Sequence, residues 1–399
     1  MGSRRWRALF SRVPRAALLP GVLVAATVLS LAVYVAVPGA RSPHAAPRLA
    51  SPTTTGSATS TVVRVAGNEL VDGAGHPLRL VGVDRSGTEY ACVQGWGIFD
   101  GPADASSVSA MASWHADAVR VPLNEDCWLG INGVSPAYSG PNYQQAIESY
   151  VQRLHAAGMA AILDLHWNAP GTALATGQQM MADADHAPAF WSSVASEFRS
   201  DPGVVFDLYN EPHDISWSCW LDGCTTSARW RAAGMQQLLD AVRNTGATQP
   251  VMAAGLNWAG DLSSWLSHEP VDPQHQLVAS AHIYDYSQCN TSACWQQTIA
   301  PVAASVPVVT GEIGETDCAS GFIGSYMSWA DSAGVSYLGW SWNTADCSRG
   351  PALISSYSGA PTNFGAGFES HVAALAASSP AFAPAAGSAA SPGSSRAPR

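Results

Sequence analysis

Two glutamates draw attention because each follows a short, strongly apolar segment. Glu211 follows VVFDLYN at 204–210, and Glu312 follows PVVTG at 307–311. Two carboxylates that face one cavity can divide the work of bond cleavage. One protonates the leaving oxygen, and the other attacks the carbon or activates water, which is what glycosidic hydrolysis requires. A lone Glu in such a place is as readily a helix cap or an ion-pair member, so the prediction depends on the two together.

Eight short apolar segments alternate with longer segments of helical character. The apolar segments are Leu78–Val83, Ala118–Leu123, Met159–Leu165, Val204–Tyr209, Pro250–Ala254, Gln276–Tyr284, Pro307–Gly311 and Val335–Trp342. Helices are predicted at Gln144–Ala157, Pro188–Arg199, Ser227–Thr245 and Phe322–Ala333. Apolar strands that alternate with helices form parallel sheets, and eight such units predict an α/β fold of the (β/α)8 TIM-barrel type. Residues 62–77, with Asp72–Gly73 between β-prone runs, predict a β-hairpin at the barrel bottom.

A barrel of this kind carries its functional residues at the carboxyl ends of its strands. The residues at these positions are Arg120, His166, Asn210, Glu211, His282, Tyr284, Glu312 and Trp340. The fourth and seventh strands lie on opposite walls, so Glu211 and Glu312 are expected to face one cavity. Of the two tryptophans at the end of the eighth strand, Trp340 and Trp342, one is expected to face that cavity, and Trp340 is favoured.

The charge balance excludes several classes of function. The chain has no Lys, and residues 62–376 contain ten Arg against all thirty Asp and Glu. A surface this acidic repels phosphate backbones, which argues against nucleic-acid binding. Hydrophobic residues make up 47% of the chain and charged residues 12%, so a disordered protein is excluded. Walker A, G-x-G-x-x-G and H-E-x-x-H motifs are absent, and no cofactor is predicted.

The two ends of the chain differ from its centre. Arginines precede an uncharged apolar run at 16–37, which has the order of a secretory signal but the length of a membrane span. Residues 1–40 are therefore a signal peptide or an N-terminal anchor, and membrane contact is expected only through 16–37, if they are retained. Residues 41–61 are expected to form a Pro/Ser/Thr linker, 62–376 the barrel domain that carries the candidate site, and 377–399 a disordered Ala/Ser/Pro tail. The domain is expected to be secreted or held at the outer face of the membrane, as a monomer.

The eight cysteines are even in number, which predicts four disulfides in an exported chain. Cys219 with Cys224 and Cys289 with Cys294 are each five residues apart, so each pair is expected to close one loop. The remaining cysteines then pair as Cys92 with Cys127 and Cys318 with Cys347, although other connectivities are open. A metal site is the alternative, but no C-x-x-C occurs and no metal is predicted.

Six segments carry a recognisable pattern. They are VRVPLN at 119–124, ILDLHW at 162–167, FDLYNEP at 206–212, AHIY at 281–284, VVTGEIG at 308–314 and GWSWN at 339–343. This pattern resembles glycoside hydrolase family 5, the cellulase family of clan A, in order over most of 78–345. The combination of Asn-Glu-Pro after the fourth strand with Gly-Glu at the seventh strand is a specific sign of this family. NEPHD at 210–214 and WSWN at 340–343 look similar to bacterial endo-β-1,4-glucanases.

The resemblance implies a role for each residue of the pair. Glu211 is implied to be the general acid/base, and Glu312 the nucleophile of a retaining double displacement. The acid needs a raised pKa so that it is protonated near neutral pH. The nucleophile must stay ionised, and Arg120 and Tyr284 are implied to donate hydrogen bonds to it.

The other positions are implied to contact the sugar. Asn210 would bind the 2-hydroxyl, Trp340 would form a platform under the ring, and His166 and His282 would line the same subsite. Each has a structural alternative, such as an ion-pair role for Arg120 or a core position for His166.

The resemblance implies a β-linked polysaccharide or oligosaccharide as substrate, with β-1,4-glucan favoured. The likeness is patchy at 168–203 and 213–275, where loops shape the outer subsites, so mannan, another β-glycan or a glycoconjugate stays open. A catalytically silent carbohydrate-binding barrel is a second hypothesis, against which the two glutamates argue. A serine hydrolase is a third, and the core lacks its G-x-S-x-G motif.

Overall fold

A computed structural model describes residues 61–348 and 350–378 of the chain. The expected signal or anchor at 1–40 lies outside these residues, as does the linker at 41–61 except for Thr61. The tail also lies outside them from residue 379 onward. Within the described residues, no helix has both the length and the apolar character needed to cross a membrane.

Eight parallel strands close into a barrel. In chain order they are β1 (Val81–Asp84), β2 (Ala118–Asn124), β3 (Ala160–Trp167), β4 (Val204–Asp207), β5 (Val251–Ala254), β6 (Leu277–Tyr284), β7 (Val308–Gly314) and β8 (Ser336–Gly339). Each strand pairs with the next along the chain, and β8 pairs with β1 to close the sheet. The predicted (β/α)8 barrel is confirmed, and every predicted apolar segment contributes one strand.

The barrel interior is filled by apolar side chains from all around the sheet. The cluster comprises Leu80, Ala118, Ala160, Ile162, Val205, Met252, Val278, Val309 and Leu338. The alternate side chains of the strands point outward and join a larger cluster with the surrounding helices. Because both faces of each strand are buried, the strands appear in the sequence as continuous apolar runs.

A small antiparallel sheet covers the amino-terminal end of the barrel. Its three strands are Arg64–Ala66, Glu69–Val71 and Pro77–Leu78. Val63 and Leu70 join the interior cluster and so plug the barrel from below. The hairpin is therefore confirmed, with one strand more than predicted. Asp72–Gly73 lies in the second turn, while the first turn uses Gly67, whose φ of 65° favours glycine.

Helices connect the strands around the outside of the barrel. The α-helices are Ala91–Gln94, Ala105–Ser113, Glu125–Leu129, Pro141–Ala156, Ala187–Phe198, Trp217–Asp222, Met235–Arg243, Ser292–Cys294, Ala300–Ala303, Gly321–Ala333 and Asn363–Ser378. A 3-10 turn spans Leu266–His268, a π-helical turn spans Trp295–Ile299, and a small strand pair joins Ile354–Ser356 to Ala360–Pro361.

The helix predicted at Ser227–Thr245 is shorter in the structure, where it spans Met235–Arg243. The preceding residues instead form a two-stranded ribbon, Cys224–Thr225 with Arg231–Ala232. Gly234 separates ribbon and helix, and a side chain there would come within 2.1 Å of the main-chain oxygen of Leu221, in the helix Trp217–Asp222. The first part of the prediction was wrong because this close approach and the ribbon pairing replace the helical turns.

Four disulfides lie in the segments that follow the carboxyl ends of the strands, where two link different segments and two close a single one. The pairs are Cys92 with Cys127, Cys219 with Cys224, Cys289 with Cys294 and Cys318 with Cys347. These are the predicted pairs. No free cysteine occurs among the residues that the structure describes. The cross-links therefore restrain one end of the barrel, where loops would otherwise be the least rigid part of the fold.

Removal of the disulfide between Cys92 and Cys127 is expected to destabilise the fold more than removal of that between Cys219 and Cys224. The first joins residues 35 apart and the second residues 5 apart. The loop entropy of the unfolded chain then predicts losses of about 4 and about 2 kcal/mol. Denaturant unfolding of the two paired Cys→Ala variants measures this difference. Equal losses would show that loop closure does not set the contribution of these cross-links.

Candidate active site

The residues singled out in the sequence gather at one end of the barrel, here called the mouth. They lie in β2 (Arg120), in β3 (His166), after β4 (Asn210 and Glu211), in β6 (His282 and Tyr284), in β7 (Glu312) and directly after β8 (Trp340). Parallel strands in a closed barrel bring all their carboxyl ends to one side. This is why residues far apart in sequence meet here.

Arg120 is completely buried at the centre of the mouth. Its Nη1 lies 3.1 Å from Asp84 Oδ1, its Nη2 lies 3.0 Å from Asp164 Oδ2, and its Nε lies 2.9 Å from Asp207 Oδ2. Nη1 also donates to Glu312 Oε1 at 2.9 Å. One cation is thus shared among four buried carboxyl groups, which suits the fixed fork of donors on a guanidinium.

Burial also affects the protonation of two of these residues, Asp84 and Asp207. It raises the pKa of Asp84 well above its usual value, although the charge of Arg120 opposes this. It raises the pKa of Asp207 to about 7, again against Arg120. Asp84 Oδ2 and Asp207 Oδ1 have no hydrogen-bond partner among the described residues, so each can hold a proton without losing a contact. Near neutral pH the cluster therefore carries less negative charge than it would if every one of its carboxyl groups were ionised.

Glu312 is held on both of its oxygens. Oε1 accepts the hydrogen bond from Arg120, and Oε2 accepts one from the Tyr284 hydroxyl at 2.5 Å. Burial and the charge of Glu312 raise the pKa of Tyr284 well above its usual value, so the phenol remains a donor. His282 Nδ1 lies 3.5 Å from Oε2. These contacts fix the orientation of the Glu312 carboxylate.

Glu211 faces Glu312 and is the more open of the two, with 20% of its side chain exposed. Its Oε1 lies 3.1 Å from His282 Nδ1. An oxygen of each glutamate and a ring nitrogen of His282 all lie within 4.8 Å of one another. Burial raises the pKa of Glu211 to about 7, and it lowers the pKa of His282 to about 4. Glu211 can therefore hold a proton near neutral pH beside an uncharged imidazole.

His166 and Trp340 form a stacked pair on another wall of the mouth. Their ring centroids are 5.4 Å apart with an interplanar angle of 10°. His166 Nδ1 lies 2.6 Å from Asp164 Oδ2; burial opposes protonation, but the carboxylate of Asp164 raises the pKa of His166. Trp342 is instead fully buried and packs edge-on against Trp114. Trp340, not Trp342, therefore lies at the mouth.

Gln178 is a residue of the site that the sequence analysis missed. Its Nε2 donates to the main-chain oxygen of Glu211 at 2.6 Å, and its Oε1 accepts from Asn210 Nδ2 at 2.7 Å. Asn210 Oδ1 accepts from Arg120 at 2.8 Å, so the segment after β4 is held from two sides. No motif marks Gln178, because its position depends on the path of a long irregular loop.

Asp84 and Asp207 were missed as well, but here the sequence contained a signal. Each ends a strand that is otherwise apolar, and a carboxyl group in a doubly buried strand requires a partner. Glu315, which follows Glu312 by three residues, has a structural role instead. Its Oε2 accepts main-chain hydrogen bonds from the first turn of the helix Gly321–Ala333.

Aromatic rings flank the two glutamates. Trp258 is 46% exposed and stacks on His213 at 4.6 Å, and His213 Nδ1 lies 2.9 Å from the main-chain oxygen of Glu211. Tyr286 is 56% exposed and stacks on Tyr284 at 5.1 Å. Flat apolar faces of this kind suit the C–H faces of a sugar ring.

A second aromatic group follows β1 and β3. Trp96 is 63% exposed and contacts Tyr90 edge-on at 5.8 Å. Tyr90 lies 6.1 Å from Trp167, the neighbour of His166 in the chain. Exposed rings therefore occur in loops from several sides of the mouth, which suits an extended ligand.

Only one group of three potential metal ligands occurs in 61–348 and 350–378, namely Glu211, His282 and Glu312. These are the same three groups that lie at the centre of the mouth. Cysteine thiolates could also bind a metal, but all the cysteines in the described residues are paired in disulfides.

A (β/α)8 barrel with paired glutamates at the carboxyl ends of its strands belongs to the class of barrel proteins whose sites are built for acid and base chemistry. The family model "Cellulase (glycosyl hydrolase family 5)" matches residues 71–346, and the chain belongs to this family. The resemblance seen in the sequence motifs is thereby confirmed.

The curated relatives include glucanases and mannanases. Endoglucanase 1 of Saitozyma flava is 26% identical over 235 residues, which are 54% of this chain and 64% of that protein. A mannan endo-1,4-beta-mannosidase of Cellvibrio japonicus is 23% identical over 269 residues, which are 63% of this chain and 59% of that protein. The matches thus span less than two thirds of the length of these relatives.

Solved structures share the fold. The β-glucanase SdGluc5_26A of Saccharophagus degradans, in complex with cellotetraose, superposes with a TM-score of 0.61 at 20% identity, covering 79% of this chain and 94% of that one. The catalytic domain of Thermobifida fusca endoglucanase Cel5A has a TM-score of 0.56 at 18% identity, covering 79% of this chain and 98% of that one.

Glu211 is expected to titrate with a pKa of about 7, because burial disfavours its ionised form. Carbon-13 NMR of labelled glutamate side chains should contain a carboxyl signal that titrates near this pH and is absent from Glu211→Gln. Glu69→Gln, which changes an exposed glutamate at the other end of the barrel, should leave the signal in place. Titration of Glu211 near the ordinary value of about 4.3 would contradict the expectation.

Proposed function

We propose that this protein is a retaining glycoside hydrolase that cleaves β-1,4-linked glucan by double displacement. The observation that carries the proposal is the proximity of Glu211 and Glu312, which have oxygens within 4.8 Å of each other. Carboxyl groups about 5–5.5 Å apart are typical of retaining enzymes, and roughly 6.5–9.5 Å of inverting ones. The short gap leaves no space for a water molecule behind the sugar, so one carboxylate attacks the sugar itself.

In the first step Glu312 is the nucleophile and Glu211 the acid. A Glu312 oxygen forms a bond to the anomeric carbon while the bond to the leaving oxygen breaks, and Glu211 gives that oxygen its proton. The hydrogen bonds from Arg120 and Tyr284 hold Glu312 in position for attack. The raised pKa of Glu211 keeps a substantial fraction of it protonated near neutral pH.

In the second step Glu211 acts as the base. It takes a proton from a water molecule whose oxygen attacks the anomeric carbon, and the bond to Glu312 breaks. Two displacements at one carbon return the original configuration, so the product is the β-anomer. While the glycosyl ester exists, Glu312 carries no charge, which makes it easier for Glu211 to lose its proton.

Neighbouring side chains position the sugar and the two acids. Asn210 Nδ2 uses one hydrogen for Gln178, which leaves the other for the 2-hydroxyl of the sugar. Trp340, supported by the stacked His166, offers a flat face to the ring. His282 lies against both glutamates and keeps them at a fixed separation.

The choice of glucan is supported by the relatives and by the shape of the mouth. Several relatives are named endoglucanases, and one structural neighbour holds cellotetraose. The equatorial substituents of a β-1,4-glucan leave flat apolar faces, which suit the exposed rings of Trp96 and Trp258. Mannan is the second candidate, because mannosidases also occur among the relatives and mannose differs from glucose only at C2.

The proposed location is outside the cytoplasm. Four disulfides cross-link the loops of the mouth, and disulfides persist in oxidising compartments. The apolar run at 16–37 is consistent with export, as a removed signal or as an anchor at the outer face of the membrane.

Soluble cellulose and mixed-linkage β-glucan are expected to be hydrolysed faster than mannan or xylan, with β-anomeric first products. Reducing-sugar release from the four polymers, with proton NMR of the early products, measures both. A preference for mannan would replace the proposed substrate but not the mechanism, whereas α-anomeric products would overturn the mechanism. A folded protein that binds but cleaves none of the polymers would favour the catalytically silent barrel.

Replacement of either glutamate by Ala should abolish polymer hydrolysis, but the two variants should differ on an activated substrate. Loss of the acid costs roughly 10²–10⁴-fold, and an aryl leaving group such as dinitrophenolate needs no proton. Glu211→Ala should therefore still form the glycosyl ester from a dinitrophenyl cellobioside, whereas Glu312→Ala should not. A burst of dinitrophenol, with circular dichroism as the control for folding, distinguishes them. Equal behaviour of the two variants would contradict the assigned roles.

A further inference from the structure

We infer that Glu211, His282 and Glu312 also form a binding site for a zinc ion at the centre of the mouth. Zinc takes nitrogen and oxygen ligands in tetrahedral geometry. Sites with three protein ligands leave the fourth position open to water or another molecule. The inference depends on atomic positions and goes beyond hydrolysis, since the ion would bind whether or not the proposed substrate is correct.

The spacing of the three groups fits a zinc tetrahedron. With ligand bonds of about 2.0–2.1 Å, neighbouring ligand atoms in a tetrahedron are roughly 3.3 Å apart. His282 Nδ1 lies 3.1 Å from Glu211 Oε1 and 3.5 Å from Glu312 Oε2. The three ligand atoms all lie within 4.8 Å of one another. Two edges thus have about the required length, and the gap between the glutamate oxygens, which is at most 4.8 Å, has to close for both to bind one ion.

The ligands are supported from behind. Arg120 and Tyr284 hold the Glu312 carboxylate in one orientation. His282 is fully buried, and its ring packs so closely on Gly311 that a side chain there would lie 2.9 Å from Nε2. The imidazole therefore keeps Nδ1 directed at the two glutamates. Fixed orientation of the ligands by their neighbours is what gives metal sites their affinity.

A buried polar atom without a partner provides a second, independent observation. His282 Nε2 has no hydrogen-bond partner within the described part of the chain, and neither has Ser280 Oγ. Both atoms lie within 3.1 Å of the position that a Cβ on Gly311 would occupy. When a metal takes Nδ1, the proton of the neutral ring lies on Nε2, and metal-bound histidines usually direct that proton to an acceptor.

The charge of Arg120 does not exclude a cation from the site. Among the described residues its guanidinium is surrounded by Asp84, Asp164, Asp207 and Glu312, which offset its charge even though burial favours the protonated forms of Asp84 and Asp207. Only about a fifth of Glu211 is exposed, but this is the side that leads to solvent. An ion can therefore reach the site through the same opening as a ligand.

The donor set distinguishes zinc from the common hard cations. Calcium requires six to eight oxygen ligands, and magnesium prefers octahedral oxygen coordination with several retained waters. One imidazole nitrogen and two carboxylate oxygens suit zinc better. Zinc should therefore bind at concentrations at which calcium and magnesium do not compete.

Occupancy by zinc should block hydrolysis, and this consequence rests on the proposed function. The ion would draw both carboxylates to itself, so Glu312 could not attack and Glu211 could not hold its proton. It would also fill the space of the scissile sugar. Inhibition should therefore be competitive with the polysaccharide and should be reversed by a chelator.

Binding is tested first, on the full chain after treatment with EDTA. Titration with Co²⁺, a spectroscopic substitute for zinc, should produce the intense visible absorption of tetrahedral cobalt, which Zn²⁺ should remove and Ca²⁺ or Mg²⁺ should not. Calorimetry with Zn²⁺ alone should give one such site per chain. Absence of the tetrahedral spectrum, or equal competition by Ca²⁺, would overturn the zinc assignment.

Variants then locate the site. Glu211→Gln should lower zinc affinity by roughly 100-fold or more, beyond the about 10–100-fold loss typical of groups that only support a ligand. Asp317→Asn removes the same charge from an exposed residue after β7 and should leave affinity unchanged. Equal losses in both variants would mean that zinc responds to overall charge and would overturn the site.

Inhibition is measured separately, so that the two proposals can fail independently. If zinc binds and the protein is inactive on every polymer, the proposed function fails and the metal site stands. If the enzyme is active and zinc leaves its rate unchanged at full occupancy, the assignment of the ion to this trio is wrong. Competitive inhibition that is lost in the presence of EDTA supports both.

Discussion

The mouth of the barrel depends on the charge of Arg120. This side chain is fully buried and contacts Asp84, Asp164, Asp207 and Glu312, which come from four other strands. Removal of one partner from a buried ion pair commonly costs about 3–5 kcal/mol, because the remaining charge is left unsolvated. The cation therefore does more than neutralise one carboxylate. Its four contacts can form together only when the strands are in the correct register. They also place the Glu312 carboxylate at a defined point of the mouth.

The two glutamates differ because of their position relative to that cation. Glu312 receives a direct hydrogen bond from Arg120, whereas the neighbour of Glu211 is His282, whose pKa burial lowers to about 4. An uncharged imidazole does little to favour an ionised carboxyl group, and burial then raises the pKa of Glu211 to about 7. Two residues of the same type are thus suited to the opposite roles that we propose for them. The trio of Glu211, His282 and Glu312 is also compact enough to hold a zinc ion, so catalysis and metal inhibition would use the same atoms.

Rigidity at the mouth comes from the loops as well as from the barrel. Irregular loops are usually the most mobile part of such a fold. Here all four disulfides lie in loops at the carboxyl ends of the strands, and Gln178 fixes the segment that carries Asn210 and Glu211. Trp96 is close in sequence to Cys92 and lies in a cross-linked segment. Trp258 follows β5 and is held without a disulfide, by a main-chain hydrogen bond to Pro212 and by stacking on His213.

The sequence by itself determined the barrel, the two local disulfide pairs and the strand ends at which the residues of the mouth lie. Doubly buried strands must be apolar throughout, and in a barrel the chemistry must follow their carboxyl ends, so periodicity and position indicated the fold and the location of the site. The roles within the site came from the family resemblance, and the two longer disulfides were expected only as the remaining pairs. The ribbon at Cys224–Thr225 and Arg231–Ala232 was mistaken for helix, because close packing at Gly234 is not visible in local propensity. Only the tertiary structure decided that Gln178 supports the site and that one arginine is shared by carboxyl groups from four strands. Which side chains share a proton, a cation or a hydrogen bond depends on distances between distant parts of the chain, and these exist only after the barrel closes.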